Sequence, residues 1–159
     1  MITESDLAHL RHCVELAAEA LADGDNPFGS VLVAADGTVL AADRNRETSA
    51  DDPMAHPEIA LARWAAAHLS PAERVRATVY TSGEHCPMCA AAHAWAGLGR
   101  IVYVASSAQF TEWSTAFGGP ASPVAALPIQ QVAPGIPVEG PAPELTEAIR
   151  ELHRRRFAA

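Results

Sequence analysis

The sequence contains no lysine, since all eleven of its basic residues are arginine. A Schiff-base amine and a phosphate-binding P-loop both need a lysine and are therefore excluded. Positive charge is scarce as well: the formal net charge is −8, and so acidic a chain argues against tight binding to nucleic acid. The one basic run, Arg154-Arg155-Arg156, lies near the C-terminus, where arginines complement the negative end of a helix dipole. No apolar run approaches the roughly 18 residues a membrane helix needs, and Met1-Ile2-Thr3-Glu4-Ser5-Asp6 is acidic where a signal peptide would be basic. A cytoplasmic protein with no membrane partner is the expectation. Cysteine is rare too. Three residues cannot build a disulfide framework, which suits a reducing compartment, and Cys13, outside any motif, reads as a small buried hydrophobe.

What is present is apolar patterning. With 159 residues, 49% of them hydrophobic, the chain is sized for one domain over residues 1–159. Ser5 is placed to cap a helix running to about Asp23, with Leu7, Leu10, Val14, Ala17 and Leu21 on one face and Gly24 beyond its end. Phe28 to Ala34 and Val39 to Ala42 read as strands joined by an Asp36-Gly37 turn. A polar loop follows, from Arg46 to Met54. Pro57 opens an Ala-rich helix to about Leu69, and Pro71 ends that region. Ala77 to Thr81 is a strand, Pro87 starts a helix to about Ala96, and Arg100 to Ala105 is the next strand. Gln109 to Phe117 reads as a short helix. Seven of the twelve prolines fall between Gly118 and Pro143, so residues 118–143 are expected to be extended connection with an edge strand near Ile129 to Val132. A last helix, residues 144–157, carries Leu145, Ile149 and Leu152. The order hairpin, helix, strand, helix, strand argues for an α/β fold with a mixed central sheet and helices on both faces.

Two short motifs carry the chemistry, His56-Pro57-Glu58 and Cys86-Pro87-Met88-Cys89. Two cysteines three apart on the first turn of a helix can turn both sulfurs to one ion, and the dipole's positive end favours the thiolate that binds zinc. His56 supplies a third ligand. Structural zinc is normally closed by a fourth Cys or His, so three ligands describe a catalytic site with an open position. Glu58, two residues from His56 at a helix start, is placed to shuttle protons; its bland role is a favourable charge at that helix end. His93, four after Cys89, is the rival ligand, although a histidine on an Ala-rich helix is more often a hydrogen-bonded core residue. His85, next to Cys86, lines the pocket or satisfies a backbone group.

H-x-E followed by C-x-x-C is the signature of zinc deaminases, and the chain resembles the cytidine-deaminase superfamily, with its nearest look to the guanine deaminase branch and the bacterial tRNA adenosine deaminases. The resemblance runs from Asn26-Pro27-Phe28-Gly29 through Thr48-Ser49 and Asp52-Pro53-Met54-Ala55-His56-Pro57-Glu58 to Tyr80-Thr81-Ser82-Gly83-Glu84-His85-Cys86-Pro87-Met88-Cys89. It implies a three-layer αβα sandwich, zinc on His56, Cys86 and Cys89, and Glu58 as the proton shuttle. It also implies that Asn45 hydrogen-bonds the base, that Phe28 and Trp95 form apolar walls, and that the chain is a homodimer. Four positions depart from the family pattern. Pro57 replaces a small residue whose N–H serves the bound base, and His85 stands where a proline is usual. Phe117 is followed by Gly118-Gly119 where guanine deaminases carry acids, and the C-terminal aromatic that often lids the site would be Phe157. These departures favour a cytosine, isocytosine or aminotriazine-like substrate over guanine.

Overall fold

The computed structural model describes residues 1–158. Five strands, β1 (Gly29–Val33), β2 (Val39–Arg44), β3 (Thr78–Gly83), β4 (Ile101–Ala105) and β5 (Val138–Glu139), form one sheet in the order β2-β1-β3-β4-β5. β1 runs antiparallel to β2 and to β3, and β3, β4 and β5 are mutually parallel. The hairpin is local: Gly37 takes φ +89°, which costs glycine little, and Asp36 Oδ1 accepts the Thr38 N–H at 2.9 Å. The parallel pair β3 and β4 needs a crossover, and helix α4 (Pro87–Trp95) provides it.

The central strands β1, β3 and β4 are buried on both faces, successive side chains alternating between them. Val31 and Val33 of β1, Tyr80 of β3 and Val102 and Val104 of β4 pack under α1 (Glu4–Ala22) and α7 (Pro143–Ala158), with Trp113 of α5 (Ser107–Ala116). The intervening residues Leu32 and Val79 face α2 (Pro57–His68), while Ile101 and Tyr103 face α4 and the short α6 (Ile129–Val132). The result is three layers, a mixed sheet between two sets of helices. Cys13 is fully buried on the inner face of α1, as a small hydrophobe would be. α1 lies so close to β1 that a Cβ on Gly29 would come 2.5 Å from the Cys13 carbonyl oxygen.

Local chemistry moves three boundaries from their sequence-based positions. Thr3, not Ser5, caps α1: Thr3 Oγ1 accepts the Asp6 N–H at 3.2 Å and Asp6 Oδ2 accepts the Thr3 N–H at 2.8 Å. Pro71 does not simply end a helix but opens another, α3 (Pro71–Arg76), capped by Ser70 and Glu73. Residues 129–132 are a helical turn, and the edge strand comes six residues later at Val138–Glu139. Among the described residues, no helix is long and apolar enough to cross a membrane.

Asp6 ties the first helix to the sheet. Besides its cap, it accepts from the Tyr80 hydroxyl at 2.7 Å and from both Arg100 terminal nitrogens at 2.9 and 3.0 Å. Burial opposes its ionisation, but these donors outweigh burial and hold the carboxyl well below the usual range. A depressed carboxyl stabilises the fold fully above its ordinary pKa and progressively less as pH falls below it. Asp6→Ala removes a cap and charged hydrogen bonds together and should cost about 2–4 kcal/mol in urea denaturation at pH 7. That loss should shrink as the pH is lowered below about 4.

Candidate metal centre and cavity

The two motifs meet at the ends of two helices on one side of the sheet. His56 is the N-cap of α2 and Cys86 the N-cap of α4, and in each helix a proline follows at the first position, where the missing N–H is no loss. His56 Nδ1 lies 3.5 Å from Cys86 Sγ and 3.6 Å from Cys89 Sγ, and all three ligand atoms fall within 4.8 Å of one another. Tetrahedral zinc with ordinary bond lengths would hold a nitrogen and a sulfur about 3.6 Å apart. The donor set therefore fits zinc in element type and in spacing. The Cys89 thiol and His56 hydrogen-bond to Cys86 and pull it down to about 4, so thiolate is its natural form here.

Beside these ligands lies a cavity of about 450 Å³, within the range of small-molecule sites. Glu58 lines it and is only 7% exposed. Thr81 Oγ1 donates to Glu58 Oε1 at 2.9 Å, and Ser30 Oγ lies 3.1 Å from the same oxygen and 2.8 Å from Thr81 Oγ1. Oε2 carries no side-chain hydrogen bond among the described residues. Burial pushes the Glu58 carboxyl upward, against the pull of nearby His56. Glu58 is therefore a buried, hydrogen-bonded carboxylate at a helix start, beside the three donors.

Asn45, 2% exposed, also lines the cavity. Its Oδ1 accepts the Glu47 N–H at 3.0 Å. The loop that carries Asn45 and Glu47 is fastened by Asp25, which is fully buried and accepts the Thr48 and Ser49 N–H groups at 2.8 Å each and the Ser49 hydroxyl at 2.6 Å. Phe28 forms a wall with Phe110, ring centroids 5.4 Å apart, and both rings back onto buried His153 of α7. Val124, Ala125 and Ala126, in the proline-rich connection, close another side.

Other expected positions lie elsewhere. Trp95 is 88% exposed at the last residue of α4 and takes no part in the cavity wall, because that residue of the helix turns to the surface. His85 is 1% exposed and points into the protein, edge-on to His93 at 5.4 Å between ring centroids, so it does not line the cavity either. Among the described residues neither of its ring nitrogens has a partner, and burial, with His93 beside it, holds it well below the usual range and hence neutral. His93 Nε2 donates to the Gly99 carbonyl at 2.7 Å, a core histidine and not a ligand. Phe157 packs against Gly119, and Phe117 sits under Arg150, both away from the cavity.

Sequence reasoning missed Glu47, Ser30, Thr81 and Phe110. The available signals were a lone serine in an apolar strand and a glutamate two residues after Asn45. Glu84, also at the cavity, spends both oxygens on backbone, accepting the N–H groups of Ser107 at 2.9 Å and Ile129 at 2.8 Å.

The model of the cytidine and deoxycytidylate deaminase zinc-binding region matches residues 3–105. The guanine deaminase of Bacillus subtilis (strain 168) is 36% identical over 104 residues, 65% of this chain. The tRNA-specific adenosine deaminase of Agrobacterium fabrum (strain C58 / ATCC 33970) is 40% identical over 101 residues, 61% of this chain. Each match spans 66% of the relative, just under two thirds of its length. The X-ray structure of guanine deaminase from Bacillus subtilis superposes with a TM-score of 0.60 at 27% identity, covering 93% of this chain and 92% of that one. With the family's matched region taking in the donor set and the sheet that carries it, the chain belongs to the zinc-binding cytidine and deoxycytidylate deaminase family.

Proposed function

We propose that this chain hydrolytically deaminates a free amino-substituted nucleobase or a close heterocyclic analogue and releases ammonia. The observation that carries this reading is Glu58, buried beside the three donors with Oε1 braced by hydroxyls and Oε2 left to the cavity. His56, Cys86 and Cys89 would hold zinc, which when bound would supply a Lewis acid able to activate water near neutral pH. Glu58 Oε2 takes the proton and hands it to the departing amine, and the braced Oε1 keeps the carboxylate aimed. Asn45 offers its amide NH₂ to an acceptor on the ring, while Phe28 and Phe110 hold the ring's faces.

Pro57 decides among bases. It lines the cavity at the first position of α2 and has no N–H to give, so a ring acceptor aimed there goes unpaired. That costs about 1–3 kcal/mol, or roughly tenfold or more in binding. Among the described residues, the other carboxylates at the cavity, Glu47 and Glu84, already accept hydrogen bonds on both oxygens, which leaves Glu58 for guanine's ring N–H and amino group. A smaller amino-pyrimidine or aminotriazine ring is therefore the favoured substrate class. A panel of guanine, cytosine, isocytosine, adenine and aminotriazines, scored by ammonia release, tests this; guanine with the highest kcat/KM would overturn the ranking. With guanine poor, Pro57→Ala should recover about tenfold in KM for bases that place an acceptor there.

The Agrobacterium relative supports a second reading, deamination of adenosine in tRNA. Against it stand the net charge of −8 and a cavity lined by no arginine. Tight, salt-sensitive tRNA binding in a shift assay would reverse the order. Against a third reading, a zinc-stabilised module without catalysis, stands the intact Glu58, buried and braced by two hydroxyls beyond what a helix-end charge requires.

A further inference from the structure

We propose that Glu47 is the positioning residue of the metal centre, fixing His56 through its Nε2 and itself fixed by Asn26 and by Arg156 of the last helix. The inference rests on the zinc donor set alone and does not depend on which base is the substrate.

The geometry is a continuous line of hydrogen bonds. His56 Nε2 lies 2.8 Å from Glu47 Oε1. A carboxylate can only accept there, so the ring proton sits on Nε2 and the Nδ1 lone pair is left facing the two sulfurs. Glu47 Oε2 accepts from Asn26 Nδ2, and Asn26 Oδ1 accepts from Arg156 Nε at 3.0 Å. Both Glu47 oxygens are thus engaged by side chains, whereas Glu58 Oε2 carries no side-chain hydrogen bond among the described residues. The Glu47 backbone is pinned as well, by Asn45 Oδ1 on its own N–H and by Asp25 on the next two. The side chain is only 23% exposed. An imidazole otherwise has two tautomers and can flip about its Cβ–Cγ bond; a held carboxylate removes both freedoms and makes the ring a stronger donor. Partners of this kind are typically worth 10–100-fold in metal affinity.

Chelator competition on the full chain, with zinc alone as the probe, measures the effect. Glu47→Ala should weaken zinc binding by about 10–100-fold, and Glu47→Gln, which can still accept from Nε2 through its amide oxygen, should recover part of the loss. Arg156→Ala, at the far end of the line, should give a smaller loss. The visible spectrum of the cobalt(II)-substituted protein should shift in Glu47→Ala and move back toward wild type in Glu47→Gln, which a merely structural role would not produce. A folded Glu47→Ala chain with wild-type zinc affinity and an unaltered cobalt spectrum would overturn the proposal. Should Glu47→Ala not fold, wild-type affinity and spectrum in both Glu47→Gln and Arg156→Ala would overturn it equally. Zinc loss in the variants with an inactive wild type would sink the substrate reading and leave this one standing.

Discussion

Glu58→Gln should cut turnover by about 10²–10⁴-fold while zinc content stays at the wild-type level, the range expected when a positioned acid–base group is lost. The substitution is nearly isosteric, so the α2 start and the cavity wall should keep their shape. Its amide oxygen can still accept from Thr81 and Ser30, which keeps the hydroxyl pair satisfied. What changes is the atom in place of Oε2, now an NH₂ group that cannot take a proton. The loss should therefore appear in kcat, with KM moved much less. Burial adds to the contrast, because a carboxylate that is 7% exposed has little water nearby to replace it as proton carrier. Steady-state kinetics on the best substrate of the panel, with metal analysis of the same samples, reads both halves. An unchanged kcat would remove Glu58 from the mechanism, and lost zinc would make it a ligand.

The donor set was legible because its chemistry is carried by spacing. Cys86 and Cys89 sit on one helical turn by virtue of being three apart, and Pro57 and Pro87 mark the helix starts that bring His56 and the cysteines to one place. Strands β1 to β4 and the helices α1, α2, α4, α5 and α7 were legible for a similar reason, since period two and period three-to-four survive in a single sequence. Side-chain direction at element ends was not. Trp95 and His85 each neighbour the right segment, yet one residue of helical rotation turns Trp95 to the surface and a strand-to-helix corner turns His85 inward. An apolar residue near a site cannot be assigned to its wall until the rotation is known. Thr3 was overlooked beside Ser5 because both can cap, and only the reciprocal Asp6 bond distinguishes them. The 129–132 turn was read as a strand because Ile129 and Val132 flanking two glutamines suit either form over four residues. Glu47 and Asp25 were silent since long-range polar pairs have no period.

Removing the metal should have the second large effect, and Cys89→Ala is the variant that isolates it. Cys89 is fully buried, its sulfur belongs to the three-atom cluster, and alanine leaves no donor in its place. Two remaining ligands cannot hold zinc at ordinary concentrations, so metal analysis should find less than one zinc per chain and ammonia release should fall to background. Stability should follow, because a ligand that binds only the folded chain stabilises it by about 4 kcal/mol at a thousandfold excess over its dissociation constant. A zinc-dependent rise in melting temperature should therefore be present in wild type and absent in Cys89→Ala. Cys13→Ala is the control for loss of a buried sulfur: Cys13 is just as buried but sits on the inner face of α1 and takes no part in the donor cluster. It should lose a modest amount of stability and keep both its zinc and its zinc-dependent shift in melting temperature. If Cys89→Ala instead retained one zinc per chain, the ion would have to be held by other residues, and His56, Cys86 and Cys89 would no longer define the centre.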